Sequence, residues 1–234
     1  MNFEIPPIYV VNFNDDERKT KMTTRFSSIG FSLQFVPPVY ISDNRLAAVP
    51  QNLNVDKRVW SIMLQHLDSI RHFVDNSSAN HCIVCEDDIL ISKSFHKELP
   101  QVIQHFDKCQ LDVLLLGYLM PYRIEKNAFN DEKALGVYES YSFYPYYEGL
   151  WGSQMYLISR NHAKKLLEKY TVEYAMANLE HPFSPDWTLT KDGHRALIYP
   201  MMVLEEGTTK TNHTGQNEFH QKCFETHYDS EKFF

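Results

Sequence analysis

A chain of 234 residues that is 43% hydrophobic and 14% aromatic can close a sizeable core without disulfides or a structural metal, and it is too apolar to stay disordered. Its formal charge of −7 argues against nucleic-acid binding by phosphate neutralisation, and the longest basic cluster, DERKTK at 16–21, is mixed in sign. No window reaches the roughly 18 apolar residues of a membrane span, MNFEIPPIYVVNF lacks a signal-peptide pattern, and four irregularly spaced cysteines suit a reducing compartment.

These features predict a soluble, cytoplasmic protein whose residues 1–234 form one domain. Residues 5–13, IPPIYVVNF, read as a buried first strand, followed by polar DDER and a helix with apolar positions at Met22, Phe26 and Ile29 that Gly30 stops. LQFVPPVY (33–40) is a short strand ended by two prolines, and 41–55 a loop. Trp60, Met63, Leu67, Ile70 and Val74 recur at steps of three and four, which predicts a helix over 56–74. HCIVC and DVLLLGY are strands around a helical pattern at 94–107. VYESYSFYPYYEG (137–149) reads as strand and then loop, and MYLISR (155–160) as a strand feeding the helix NHAKKLLEKY. ALIYPMMV (196–203) is the last strand, and the tail beyond Gly207 is polar with scattered aromatics. Strands alternating with helices predict an α/β protein with a largely parallel sheet.

Within HCIVCEDDILI (81–91) two chemistries compete. On a strand, Cys82 and Cys85 point to opposite faces, so they cannot share a metal, and no second cysteine pair completes a zinc site. The acids follow a buried strand at the carboxyl edge, where open α/β sheets bind ligands. Continued alternation would place Glu86 and Asp88 on one face and Asp87 on the other. Adjacent carboxylates repel, so water or a hard divalent cation such as magnesium or manganese would screen them; the plainer reading is an acidic turn.

Several longer segments carry a resemblance. IYVVNFNDDERKTKMTTRFSSIGFSLQFVPPV has a strand ending in Asn, an Arg-containing helix and a short strand after a Gly; WSIMLQHLDSI, CIVCEDDILI and GSQMYLISRNHAKKLL follow, with SPDW and YPMMVLEEGTTKTNHT matching more loosely. Together they resemble glycosyltransferase family 25, the lipooligosaccharide and procollagen sugar transferases. Ser61 and Gln65 depart from the usual Gly and Ser of the middle helix, while His66 keeps the family's His. The departures suggest a divergent branch, viral or from an unusual microbe, and a viral origin would make the protein virus-associated.

The resemblance implies a single GT-A domain, a Rossmann-like, mostly parallel sheet flanked by helices, that binds a nucleotide-sugar donor at the carboxyl ends of its first strands. In that fold a DxD-like acidic motif holds Mn2+ or Mg2+ against the donor diphosphate. Asp88 is the first choice of metal ligand, Glu86 a ligand of metal or ribose, Asp87 a residue that supports them, and His213 a second protein ligand. Asn12 and Arg18 would contact the nucleotide base and phosphates. His66 would either contact the donor or serve as a hydrogen-bonded structural histidine. Gly152 and Ser153, beside Trp151, match the segment that faces donor sugar and acceptor.

The family inverts configuration, so a carboxylate must take the acceptor's proton. Asp186 in PFSPDW is the chosen base, although Pro-Asp-Trp also suits a helix start with Asp as N-cap; Glu148 is the runner-up. A uridine diphosphate glucose or galactose is the implied donor, and a glycan or glycoprotein the acceptor. Two other functions share these features: a metal-dependent phosphotransfer or hydrolytic enzyme, and a sugar-binding module that has lost turnover.

Overall fold

The computed structural model describes residues 5–124, 133–146, 149–207 and 214–234. Its elements are β1 (Ile8–Val11), α1 (Asp16–Ser28), β2 (Leu33–Val36), α2 (Asn44–Ala47), α3 (Lys57–Asn76), β3 (His81–Glu86), β4 (Ile89–Ile91), α4 (Phe95–Lys108), β5 (Val113–Leu119), β6 (Gly136–Val137), β7 (Ser142–Pro145), β8 (Trp151–Ser159), α5 (Arg160–Lys169), α6 (Val172–Ala177), β9 (Arg195–Tyr199), β10 (Val203–Glu205) and α7 (Thr214–His227). The helices start where the sequence supplies caps. Asp15 accepts the Arg18 amide of α1 at 2.9 Å, and Asp56 accepts the Arg58 amide of α3 at the same distance. Gly30, at φ 83, follows α1 in the left-handed region that a side chain resists.

The main sheet runs β2-β1-β3-β8-β5-β9-β7-β6. All its strands point one way except β7 and β8, so it is mixed, with parallel ladders at β2-β1-β3 and β5-β9. β8 is the long strand that enters in reverse between β3 and β5. Alternation along the central strands sends Tyr9, Cys82, Val84, Val113 and Tyr156 to one face, where α3, α5 and α6 pack, and Val10, Ile83, Cys85, Leu114 and Met155 to the other, where α1 and α4 pack. Both faces are therefore covered, which is why these strands read as continuous apolar runs. Cys82 and Cys85 are buried and free on opposite faces, which removes the Cys-x-x-C reading.

Several elements differ from the sequence reading, among them the short helix α2 inside the stretch 41–55 read as a loop. The run 196–203 is not one strand: β9 ends at Tyr199, before Pro200, which has no N–H to continue the ladder, and β10 pairs antiparallel with β4 in a separate two-stranded sheet. β8 starts four residues earlier than its apolar run, at Trp151. The polar tail forms α7, which buries little more than Cys223 and so has almost no apolar stripe to announce it.

Candidate active site

The parallel register places Val11 beside Glu86, so the ends of β1 and β3 deliver Asn12 and the acidic triplet to the same carboxyl edge. Asn12 is buried and closes the turn into α1: its Nδ2 donates to the Asp15 carbonyl at 3.0 Å, and its Oδ1 accepts from the Asp15 amide at 3.2 Å. The same Nδ2 donates to Asp87 Oδ2 at 2.6 Å. Gln65, one of the two departures in the middle helix, is buried beneath this turn and donates to the Asn12 carbonyl at 2.9 Å. The substitution thus braces the loop that carries the site. Ser61, the other departure, bonds back to the Arg58 carbonyl within α3.

The Asp15 cap fixes the first turn of α1 and aims Arg18 at the acids. Its Nη1 donates to Asp87 Oδ1 at 2.9 Å and to Asp88 Oδ2 at 3.3 Å. Burial alone would lower the Arg18 pKa, but the Asp87 bond and the charges of Asp88, Asp87 and Asp15 raise it, so the guanidinium stays charged. The extended strand stops at Glu86, and Asp87 and Asp88 lie in a bend. Strict alternation therefore fails there: both aspartates face Arg18, which corrects the expected split of Asp87 from Asp88.

Glu86 turns toward β8, where the Ser153 hydroxyl donates to its Oε1 at 2.7 Å. Burial pushes the Glu86 pKa well up, the charges of Asp88, Asp186 and Glu205 push it further, and only the Ser153 bond opposes them. Asp186 arrives from the other side of Ser153. The Gly152 amide and the Ser153 hydroxyl lie near enough to oppose the rise that burial causes in its pKa. The Ser153 hydroxyl proton goes to Glu86, and the charges of three neighbouring acids crowd that carboxyl, so the cluster is relieved when Glu86 holds a proton of its own. Gly152 adopts φ +124, and a Cβ there would collide with the Gln154 side chain, so glycine is the residue that fits at this point of the site. Asp186 caps no α-helix: residues 185–190 form a run of turns, which corrects the N-cap alternative.

His220 of α7 completes this edge, a residue the sequence reading did not select. Its Nδ1 lies 2.8 Å from both oxygens of Glu205, and the Glu205 bond, with the charges of Asp88 and Asp186, raises its pKa. The polar helix that carries it gave no periodic signal. Arg25 holds the neighbouring loop by donating to the Ile89 carbonyl at 2.8 Å and pairing with Glu206, whose amide donates to the Asp88 carbonyl at 2.8 Å.

His66 is placed differently. It is fully buried under the sheet, stacks on Tyr156 and reaches the Tyr156 hydroxyl at 3.1 Å through Nδ1. Burial depresses its pKa to about 3, which keeps the ring neutral. Of its two readings the structural one fits, because no ligand at the carboxyl edge touches a ring enclosed by the core. Glu148 and His213 lie outside the described residues. Among the described residues, no group of three His, Cys, Asp or Glu side chains is arranged to hold a metal ion. No helix among them is long and apolar enough to cross a membrane.

The arrangement is a cluster of acids at a sheet edge, balanced in part by Arg18, flanked by His220, and with Asp186 close to the Ser153 that holds Glu86. A sequence model of glycosyltransferase family 25, described as LPS biosynthesis protein, matches residues 5–179. The chain belongs to glycosyltransferase family 25. It is therefore a glycosyltransferase, with a sugar donor and an acceptor as its substrates, and its helix-flanked mixed sheet is consistent with a GT-A-like fold. The matched region includes Asn12, Arg18, Glu86, Asp87, Asp88, Gly152 and Ser153, whereas Asp186, Glu205 and His220 lie beyond it.

Among solved structures, A197 from STIV is 11% identical with a TM-score of 0.44, over 89% of this chain and 96% of that one. HddC from Yersinia pseudotuberculosis is 12% identical with a TM-score of 0.39, over 94% of this chain and 99% of that one. Among curated proteins, none matches the sequence.

Proposed function

We propose that this family 25 enzyme is an inverting, divalent-cation-dependent hexosyltransferase, taking glucose or galactose from a uridine diphosphate donor to a hydroxyl of a glycan or glycoprotein. The observation that carries this reading is the Asp186 carboxylate, set close to the Gly152 amide and to Ser153, whose hydroxyl holds Glu86 of the acids that follow β3. A raised pKa makes Asp186 a better proton acceptor than an ordinary aspartate. In the single displacement the acceptor oxygen forms its bond to the anomeric carbon as the bond to the diphosphate breaks, and the hydroxyl proton passes to Asp186.

The donor set suits magnesium or manganese, since hard carboxylate oxygens are gathered where Glu86 feels the charges of Asp88, Asp186 and Glu205. Asp88 would hold the ion, with Glu86 as a second oxygen donor, and diphosphate oxygens would fill out the coordination. When bound, the cation offsets the negative charge of the leaving diphosphate. Asp87 keeps Asn12 and Arg18 in place, and Arg18 sets a second positive charge beside the phosphates.

The test is a donor screen with manganese, read by transfer and by calorimetry. Asp88→Ala is expected to abolish manganese-dependent UDP binding, and Asp186→Ala to keep it while losing transfer. Normal transfer by Asp186→Ala would remove the base assignment. Release of free sugar or phosphate as the main product would favour a hydrolase, and glycan binding without any nucleotide binding would favour a sugar-binding module.

A further inference from the structure

Two tryptophans flank Asp186 along the chain path: Trp187 follows it directly, and Trp151 precedes Gly152, whose amide lies close to it. The two indoles meet edge to face, with centroids 4.9 Å apart and planes at 87°. Both are exposed, at 45% for Trp151 and 37% for Trp187, although a large apolar ring gains from burial. The third tryptophan, Trp60, is 6% exposed and packs on Phe183 in the core, so exposure is particular to the pair beside the acid.

Two further features turn this pair into a site. The Lys191 ammonium lies over the Trp187 ring, 3.6 Å from its centroid, so it covers one face of that indole and sets N–H donors beside the corner formed with Trp151. A cavity of about 230 Å³ continues from Trp187 between Tyr170, Tyr174 and Phe183, floored by rings and edged by Thr188 and His181. Rings with donors at their edges match a pyranose, whose C–H faces are apolar while its hydroxyls lie around the rim.

We infer that Trp151 and Trp187 form the acceptor subsite, a corner in which one pyranose unit of an acceptor glycan stacks with its attacking hydroxyl turned toward Asp186. The inference rests on Asp186 as the base. Lys191 donates to hydroxyls of that unit, and the cavity beyond Trp187 takes the next sugar. The occupant is a saccharide and not a flat apolar molecule, because a carboxylate and an ammonium border the aromatic surface. The donor side is built instead on the Arg18 charge, held by Asp87 and Asp88, so the two substrates are read by different chemistry.

The chain's three tryptophans make the test direct. Indole N–H signals of the full-length protein are followed while lactose, maltose and N-acetyllactosamine are added at high concentration, with UDP and manganese titrated separately. At least one saccharide is expected to move the Trp151 and Trp187 signals and leave Trp60 fixed. Trp187→Ala and Trp151→Ala are expected to weaken that saccharide about tenfold or more and leave UDP affinity unchanged. The inference is overturned if no saccharide moves the two exposed signals, if Trp60 moves equally, or if both variants bind the saccharide as the wild type does. Failure of the wild type to bind UDP, with the saccharide shifts intact, would sink the uridine diphosphate donor of the proposed function and leave the sugar subsite standing.

Discussion

The two edges of the main sheet carry the same kinds of ionisable side chain and treat them in opposite ways. At the edge where β3, β5 and β9 begin, Asp192 accepts from Lys169 Nζ at 2.6 Å and from the Tyr170 hydroxyl at 2.6 Å, and His81 Nε2 lies 2.7 Å from Asp107. Burial alone would raise the Asp192 pKa, but the Lys169 and Tyr170 bonds pull it below the ordinary value. At the edge where β1 and β3 end, Glu86 and Asp186 are raised instead, Glu86 by burial and neighbouring acids and Asp186 by burial, which outweighs the donors and cations near it. Charges at the first edge are settled within the protein. Those at the second are held at a cost to stability, as at sites that act on ligands.

The contrast is broken most severely at the candidate base. Asp186→Asn is expected to lower the transfer rate about a hundred- to ten-thousandfold, whereas Asp112→Asn at the opposite edge, where Asp112 Oδ2 accepts the His194 amide at 2.9 Å, leaves it unchanged; single-turnover assays of both variants decide it. Next in size is an effect of the core between the edges. His66 has a folded pKa of about 3 against 6.5 in its ordinary state, so the unfolded chain takes up a proton that the native ring refuses. Its contribution to stability is steady above pH 6.5 and falls by ~1.4 kcal/mol per unit as the pH drops toward 3. Denaturant titrations should show that slope flattened in His66→Gln.

Smaller effects sharpen the comparison because they differ in sign. Glu86→Gln keeps an acceptor for the Ser153 hydroxyl and removes a charge that the site disfavours, so it should stabilise the fold by roughly 0.5–2 kcal/mol while impairing transfer. The raised Glu86 pKa means that native stability falls as pH rises above the ordinary value of 4.5, and the variant should lose that fall. Asp192→Asn removes a partly exposed ion pair with Lys169 and should destabilise by under about 1 kcal/mol, with no change in transfer. Stabilisation at both edges, or at neither, would dissolve the distinction.

Part of this organisation is legible in the amino-acid pattern. The α3 helix follows from its spacing of Trp60, Met63, Leu67 and Ile70, all buried on one side. β1, β3 and β5 follow from apolar runs that are long because both faces of the sheet are covered. The acids of 86–88 stand out because carboxylates directly after a buried strand are unusual. Less legible are β10 and α7, the first because Pro200 splits an apolar run, the second because a helix lying on the surface needs almost no apolar stripe.

Local sequence determined the α/β class, most helix starts and the position of the acidic triplet, because periodicity and capping act over a few residues. Tertiary structure alone decided which side chains meet: Arg18 with Asp87 and Asp88, Ser153 with Glu86, Trp151 with Trp187, and His66 with the core and not with a ligand. Those contacts depend on β8 entering the sheet in reverse between β3 and β5 and on the path of the chain after α6. Both are set by packing across distant segments, which no local pattern encodes.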